Sequence, residues 1–139
     1  MIETRTFPCD RGSVPAARRF ATDALAGSAD ELLQTVALMV SELATNCIRH
    51  VDAEFELTIR RTSSEIRVEV SDRGAGMPAM RSPGPNDPTG RGLRIVDMLS
   101  QRWGVTPKAC AGKTVWFTVA AAGAGAEEPV TIRSGAGDA

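Results

Sequence analysis

Glu42 and Asn46 stand four positions apart in Ser41-Glu42-Leu43-Ala44-Thr45-Asn46, and His50 follows four positions later. On a helix such residues lie one above another on one face. A carboxylate in that row can take a proton from a hydroxyl or a water, and an amide oxygen beside it suits Mg²⁺, which prefers oxygen ligands. A second group is Asp72-Arg73-Gly74-Ala75-Gly76, where a carboxylate is followed by two glycines. Glycines there admit positive φ and let the backbone approach a ligand. The carboxylate can accept a hydrogen bond from an exocyclic amine and so select adenine over guanine. The third group is Gly90-Arg91-Gly92-Leu93. Read as a helix start, it offers free N–H groups and a dipole that favour phosphate. Arg81 and Arg91 are further candidate phosphate contacts.

Each group has an ordinary reading. Glu42 can be a solvated helix residue, Asp72 the start of a turn, and Gly90-x-Gly92 a hinge. The surroundings bear on the choice. Leu32, Val36, Met39, Val40, Leu43 and Cys47 recur at helical spacing from Asp30 to about His50. At about 100° per residue, Asn46 and His50 point in nearly the direction of Met39 and Leu32. Polar groups on a face that apolar residues share need partners, which a bound ligand with a metal ion would supply.

Other elements must hold these groups in place. Thr4 to Phe7 reads as an edge strand, and a helix runs from about Pro15 to Ala26 with Ser13 as its N-cap. Glu54 to Arg61 and Glu65 to Ser71 alternate as two antiparallel strands joined at Thr62-Ser63-Ser64. The proline-rich stretch from Met77 to Thr89 is a loop, long enough to suggest a lid over phosphates. Leu93, Val96, Leu99 and Trp103 define a helix that starts after Gly92 and that Gly104 can end. A strand begins around Trp103 to Thr106, and Thr114 to Val119 forms a final strand. Trp103, Trp116 and Phe117 are expected in the core. The order β-α-α-β-β-loop-α-β-β suits a two-layer α+β sandwich and lacks the alternation of a Rossmann unit. Gly112-Lys113-Thr114 is not a Walker loop, because position 107, where the pattern's first glycine belongs, is proline.

Length and composition narrow the classes. The 139 residues suit one domain, with residues 1–119 folded and 120–139 a flexible tail, and 42% are hydrophobic. A net charge of −1 gives no pull toward nucleic acid. No apolar run approaches the roughly 20 residues that span a bilayer, and the N-terminus has no apolar signal core. The three cysteines are odd in number and widely spaced, which favours reduced thiols and a cytoplasmic location.

With its three groups in this order, the chain resembles the GHKL ATPase superfamily of gyrase, heat-shock chaperone, histidine-kinase and mismatch-repair ATP-binding domains. Glu42-x-x-x-Asn46 is similar to its N box, Asp72-x-Gly74-x-Gly76 to its first glycine box, and Gly90-x-Gly92-Leu93 to its second. Ser41-Glu42-Leu43-Ala44-Thr45-Asn46 with His50, Gly90-Arg91-Gly92-Leu93-Arg94-Ile95-Val96 and Gly112-Lys113-Thr114-Val115-Trp116-Phe117 resemble the stand-alone bacterial anti-sigma-factor serine/threonine kinases, over roughly residues 2–119.

The resemblance implies a mixed, mainly antiparallel sheet covered on one face by helices, with ATP and Mg²⁺ as ligands. Asn46 would hold Mg²⁺, and Glu42 would be the general base toward a serine hydroxyl of a protein substrate. Asp72 would bind the adenine amino group, with Gly74, Gly76 and Met77 lining the base. Gly90, Arg91, Gly92 and Leu93 would contact the phosphates. Thr114 would support adenine binding through the Asp72 region, and His50 would serve phosphate or lid. The implied partners are a STAS-type anti-anti-sigma protein and a sigma factor, with a homodimer also implied. The competing reading is a non-catalytic ATP-binding module that acts by partner binding alone. A histidine-kinase fragment fits less well, since His50 is the single histidine and lies in the N box.

Overall fold

The structure is a computed structural model that describes residues 1–50, 53–73, 88–108 and 111–121. Its elements run β1 (Ile2–Phe7), α1 (Ser13–Ala24), α2 (Asp30–His50), β2 (Phe55–Arg61), β3 (Glu65–Asp72), α3 (Pro88–Leu99), β4 (Arg102–Pro107) and β5 (Lys113–Ala120). The strands form one five-stranded sheet in the order β1-β2-β3-β5-β4. All four ladders are antiparallel. The expected α+β sandwich is therefore present, with an antiparallel rather than a mixed sheet among the described residues.

Period-two alternation decides which side of each strand is buried. Phe55, Leu57 and Ile59 of β2 fall in register with Asp72, Val70 and Val68 of β3, and Ile66, Val68 and Val70 with Val119, Phe117 and Val115 of β5. This face packs with Val36, Met39, Val40, Leu43 and Ala44 of α2, with Ala17 and Ala21 of α1, and with Val96 of α3. At the β1 edge Phe7 stacks on Phe55, with ring centroids 5.4 Å apart, and meets Phe20 of α1 edge-on at 6.0 Å.

The opposite face is polar. Thr4 and Thr58 share a 3.1 Å hydrogen bond, and Arg67 Nε donates to Glu69 Oε2 at 2.8 Å. The Arg67 guanidinium also lies 4.2 Å from the centroid of the Trp116 ring. The phase of β5 thus sends Phe117 into the core and Trp116 to the other face, which corrects the expectation that both are core residues.

Three helix boundaries differ from expectation. α1 begins at Ser13, with Gly12 as N-cap, and Ser13 Oγ donates to the Pro8 carbonyl at 2.7 Å instead of capping. α3 begins at Pro88, not after Gly92, because proline fits a first helical turn well and each interior glycine costs only about 1 kcal/mol. α3 ends at Leu99, and Trp103 belongs to β4 opposite Phe117. Gly104 does not end the helix; a Cβ there would stand 2.9 Å from the Trp116 ring, so its bare backbone makes room for that indole. No helix among the described residues is long and apolar enough to cross a membrane.

Candidate functional site

The sheet register carries Asp72 into an unusual place for a carboxylate. It continues the inward row Ile66, Val68, Val70 and is 2% exposed. In an apolar setting such a group needs a counter-charge and hydrogen bonds. Lys113, the first residue of β5, supplies both: its Nζ lies 2.7 Å from Asp72 Oδ2. Lys113 itself precedes Val115, Phe117 and Val119 in the inward phase of its strand. The two charges are thus brought together by the same alternation that builds the core.

The backbone of Asp72 is fixed separately. Lys108 Nζ donates to its carbonyl oxygen at 3.1 Å. The turn between β4 and β5 closes through Lys108 N–H to the Gly112 carbonyl at 3.0 Å. Gly112 has φ +91°, and a Cβ on it would collide with the Asp72 carbonyl and stand 2.7 Å from Arg73 Cα. No residue with a side chain fits there, on grounds of both conformation and space.

A second approach joins α2 to α3. Gly92 is buried, and a Cβ on it would lie 3.0 Å from Asn46 Nδ2 and 3.5 Å from Asn46 Oδ1. The carboxamide of the first predicted group thus rests against the backbone of the third. Gly92 sits beyond the first turn of α3, whose amides are the ones that lack intrahelical acceptors. Its contribution here is clearance for Asn46, while Gly90 lies in that first turn.

Cys47, next to Asn46 on α2, links the two approaches. Its thiol is pushed up to about 12, chiefly by burial, then by the charge of Asp72, with Lys113 opposing. It therefore lies within electrostatic reach of the Asp72–Lys113 pair and is held as an unreactive thiol. Cys9 is exposed, with its Sγ 3.9 Å from the Ile48 carbonyl, and Cys110 lies outside the described residues.

The other predicted residues fall as follows. Glu42 is half-buried on α2, one turn before Asn46. His50 closes α2, and Arg91 lies in α3, but their side chains are outside the described residues. Leu93 packs against the hydrophobic core. Gly74, Gly76, Met77 and Arg81, with residues 82–87 of the expected lid, lie outside the described residues, as does the tail from 122. Thr114 is on the polar face of the sheet, where its hydroxyl is 2.7 Å from that of Ser71. Its predecessor Lys113, not Thr114, touches the Asp72 carboxylate. Sequence reasoning missed Lys113 and the close approach of Gly112. The signal was present: a lysine and an aspartate each stand in the apolar phase of a strand.

A buried acceptor sits at the end of β3, and a carboxamide sits beside the start of α3. No group of three or more metal-ligating His, Cys, Asp or Glu side chains occurs among the described residues. A cation here would take its other ligands from elsewhere, as Mg²⁺ does when substrate phosphates complete its shell.

Comparison with known proteins bears on the ligand class. A family model described as a histidine kinase-like ATPase domain matches residues 7–119. The match spans all three helices and β2 to β5 almost to its end. No curated protein matches the chain.

Proposed function

This chain belongs to the histidine kinase-like ATPase family, and on that premise we propose that it is an ATP- and Mg²⁺-dependent protein serine/threonine kinase of the anti-sigma type. Its substrate is a STAS-type anti-anti-sigma protein, and it regulates transcription by sequestering a sigma factor. The observation that carries the proposal is the approach of Gly92 to Asn46. Two motifs more than forty positions apart in the chain meet where a carboxamide is needed beside a helix start.

The residues fit the ligands implied. The Asn46 carboxamide occupies the space left by Gly92 and offers an oxygen suited to Mg²⁺. Asp72 is a buried acceptor for the adenine amino group. The first turn of α3, with Gly90, presents backbone N–H groups toward phosphate. Glu42, one turn from Asn46, takes the proton of the substrate's serine hydroxyl as its oxygen attacks. ATP would supply the γ-phosphoryl group that passes to the serine oxygen, with ADP as the leaving group, and Mg²⁺ would neutralise charge on the phosphate oxygens. Gly74, Gly76, Met77, Arg91, His50 and Thr114 complete the proposed nucleotide contacts, Thr114 through its bond to Ser71 beside Asp72.

The test is direct. Incubated with a cognate STAS protein, Mg²⁺ and ATP, the chain should add one phosphate to that partner, read by intact mass. ATP binding with no added mass on any cognate partner overturns the kinase and leaves a nucleotide-dependent binding module.

A further inference from the structure

The Asp72–Lys113 pair is more closely determined than a sheet end requires. Asp72's main chain is already held by its ladder with β2, by Lys108 on its carbonyl and by the bare backbone of Gly112. These contacts act on the main chain. On the carboxylate itself, Lys113 makes a 2.7 Å charge-assisted hydrogen bond, from a side chain only 17% exposed. An ammonium is a donor only, so the group it pairs with is presented as an acceptor.

We propose that Lys113 is a positioning residue for base recognition. By fixing the Asp72 carboxylate as an acceptor at one place, it sets the preference for a 6-amino purine over a 6-oxo purine. The inference rests on the reading that Asp72 receives the base. A 6-amino group donates to a carboxylate, whereas a 6-oxo group opposes it with a second acceptor. A site built for such a hydrogen bond rejects the base that lacks the donor. A carboxylate free to turn would lose that discrimination, because it could rotate away from an oxo group at little cost. Lys113 thus governs a ratio of affinities and not simply the stability of the sheet.

Titration calorimetry of the full chain with ATP and with ITP, each with Mg²⁺, tests this on wild type, Lys113→Gln and Lys113→Arg. Wild type should bind ATP at least about ten-fold tighter than ITP. Lys113→Gln keeps a donor of lesser reach and no charge; it should lose about ten-fold in ATP affinity with little change for ITP, so the ratio collapses. Lys113→Arg should fold and give an intermediate ratio, because a planar fork cannot reproduce the point contact of an ammonium. If Lys113→Gln shows no cooperative melt, the ratio in Lys113→Arg decides: an intermediate value supports the proposal and a wild-type value overturns it. A folded Lys113→Gln with the wild-type ratio, or with tighter ATP binding, also overturns it. A wild type that does not prefer ATP overturns the assignment of Asp72 to the base, and this inference with it.

Discussion

At the Asp72 end of the candidate pocket, a strand register, an ion pair, a lysine on a carbonyl and a glycine with no room for a side chain all act on one residue. At the Asn46 end, a carboxamide lies against the backbone of a helix whose first turn holds Pro88, Thr89 and Gly90. The first end is built from β-structure and buried charge, so its geometry is set when the sheet forms. The second is built from helix packing and a single missing Cβ, so it depends on how α3 seats against α2. Under the proposed function, the first end would identify the base and the second would act on the phosphates.

The strongest way to sharpen the comparison is to remove the proposed base. Glu42→Ala should lower phosphorylation of the STAS partner by roughly a hundred-fold to ten-thousand-fold, the usual range for a general base. ATP affinity, read by calorimetry, should change little. Unchanged phosphorylation would remove Glu42 from the chemistry.

Asp72→Asn probes the fixed end and should weaken adenosine and ATP alike, by about ten- to a hundred-fold. The sequence alone suggests that this variant leaves the fold undisturbed. The ion pair changes that expectation, since the substitution strips the counter-charge from a mostly buried lysine. A stability loss of about 3 kcal/mol by urea unfolding is expected, within what a domain of this size tolerates. Normal adenosine affinity in the variant would move base recognition away from β3.

Gly92→Ala probes the adjustable end with the opposite signature. Alanine is favoured over glycine inside a helix by about 1 kcal/mol, and its Cβ displaces the Asn46 carboxamide, a flexible side-chain end. The melting temperature should hold or rise. Affinity for ATP with Mg²⁺ should fall about ten-fold, as for a disturbed metal ligand, while adenosine affinity stays as in wild type. Equal losses for adenosine and ATP would show that the two ends are not separable.

The sequence revealed unequal amounts of the two ends. Helical spacing located α2 from Asp30 to His50, and alternation located β2 and β3 within one residue, because burial on one face imposes a strong period on long elements. It also picked out Glu42, Asn46, Asp72 and Gly92, since polar groups and glycines among apolar residues stand out. Lys113 was passed over because a lysine before a strand reads as part of a turn until the register with β3 is known. Thr114, which the resemblance singles out, lies on the polar face beside Ser71. The start of α3 was misplaced because two glycines resemble a loop, and local propensity does not reveal that a glycine is there to admit Asn46. The Lys113 and α3 cases both concern a contact between elements distant in the chain.

The smallest effect concerns the joint between the ends. Cys47 neighbours Asn46 in sequence but feels Asp72 and Lys113 electrostatically. With its thiol pushed up to about 12, chiefly by burial, Cys47 stays protonated at pH 8. Iodoacetamide at that pH should leave Cys47 unmodified in the folded protein and modify it in urea, with exposed Cys9 reacting in both, as read by peptide mass mapping. If Cys47 reacts as fast in the folded protein as in urea, α2 does not seal the space between the two ends, and the fixed end would have to be redrawn as open to water.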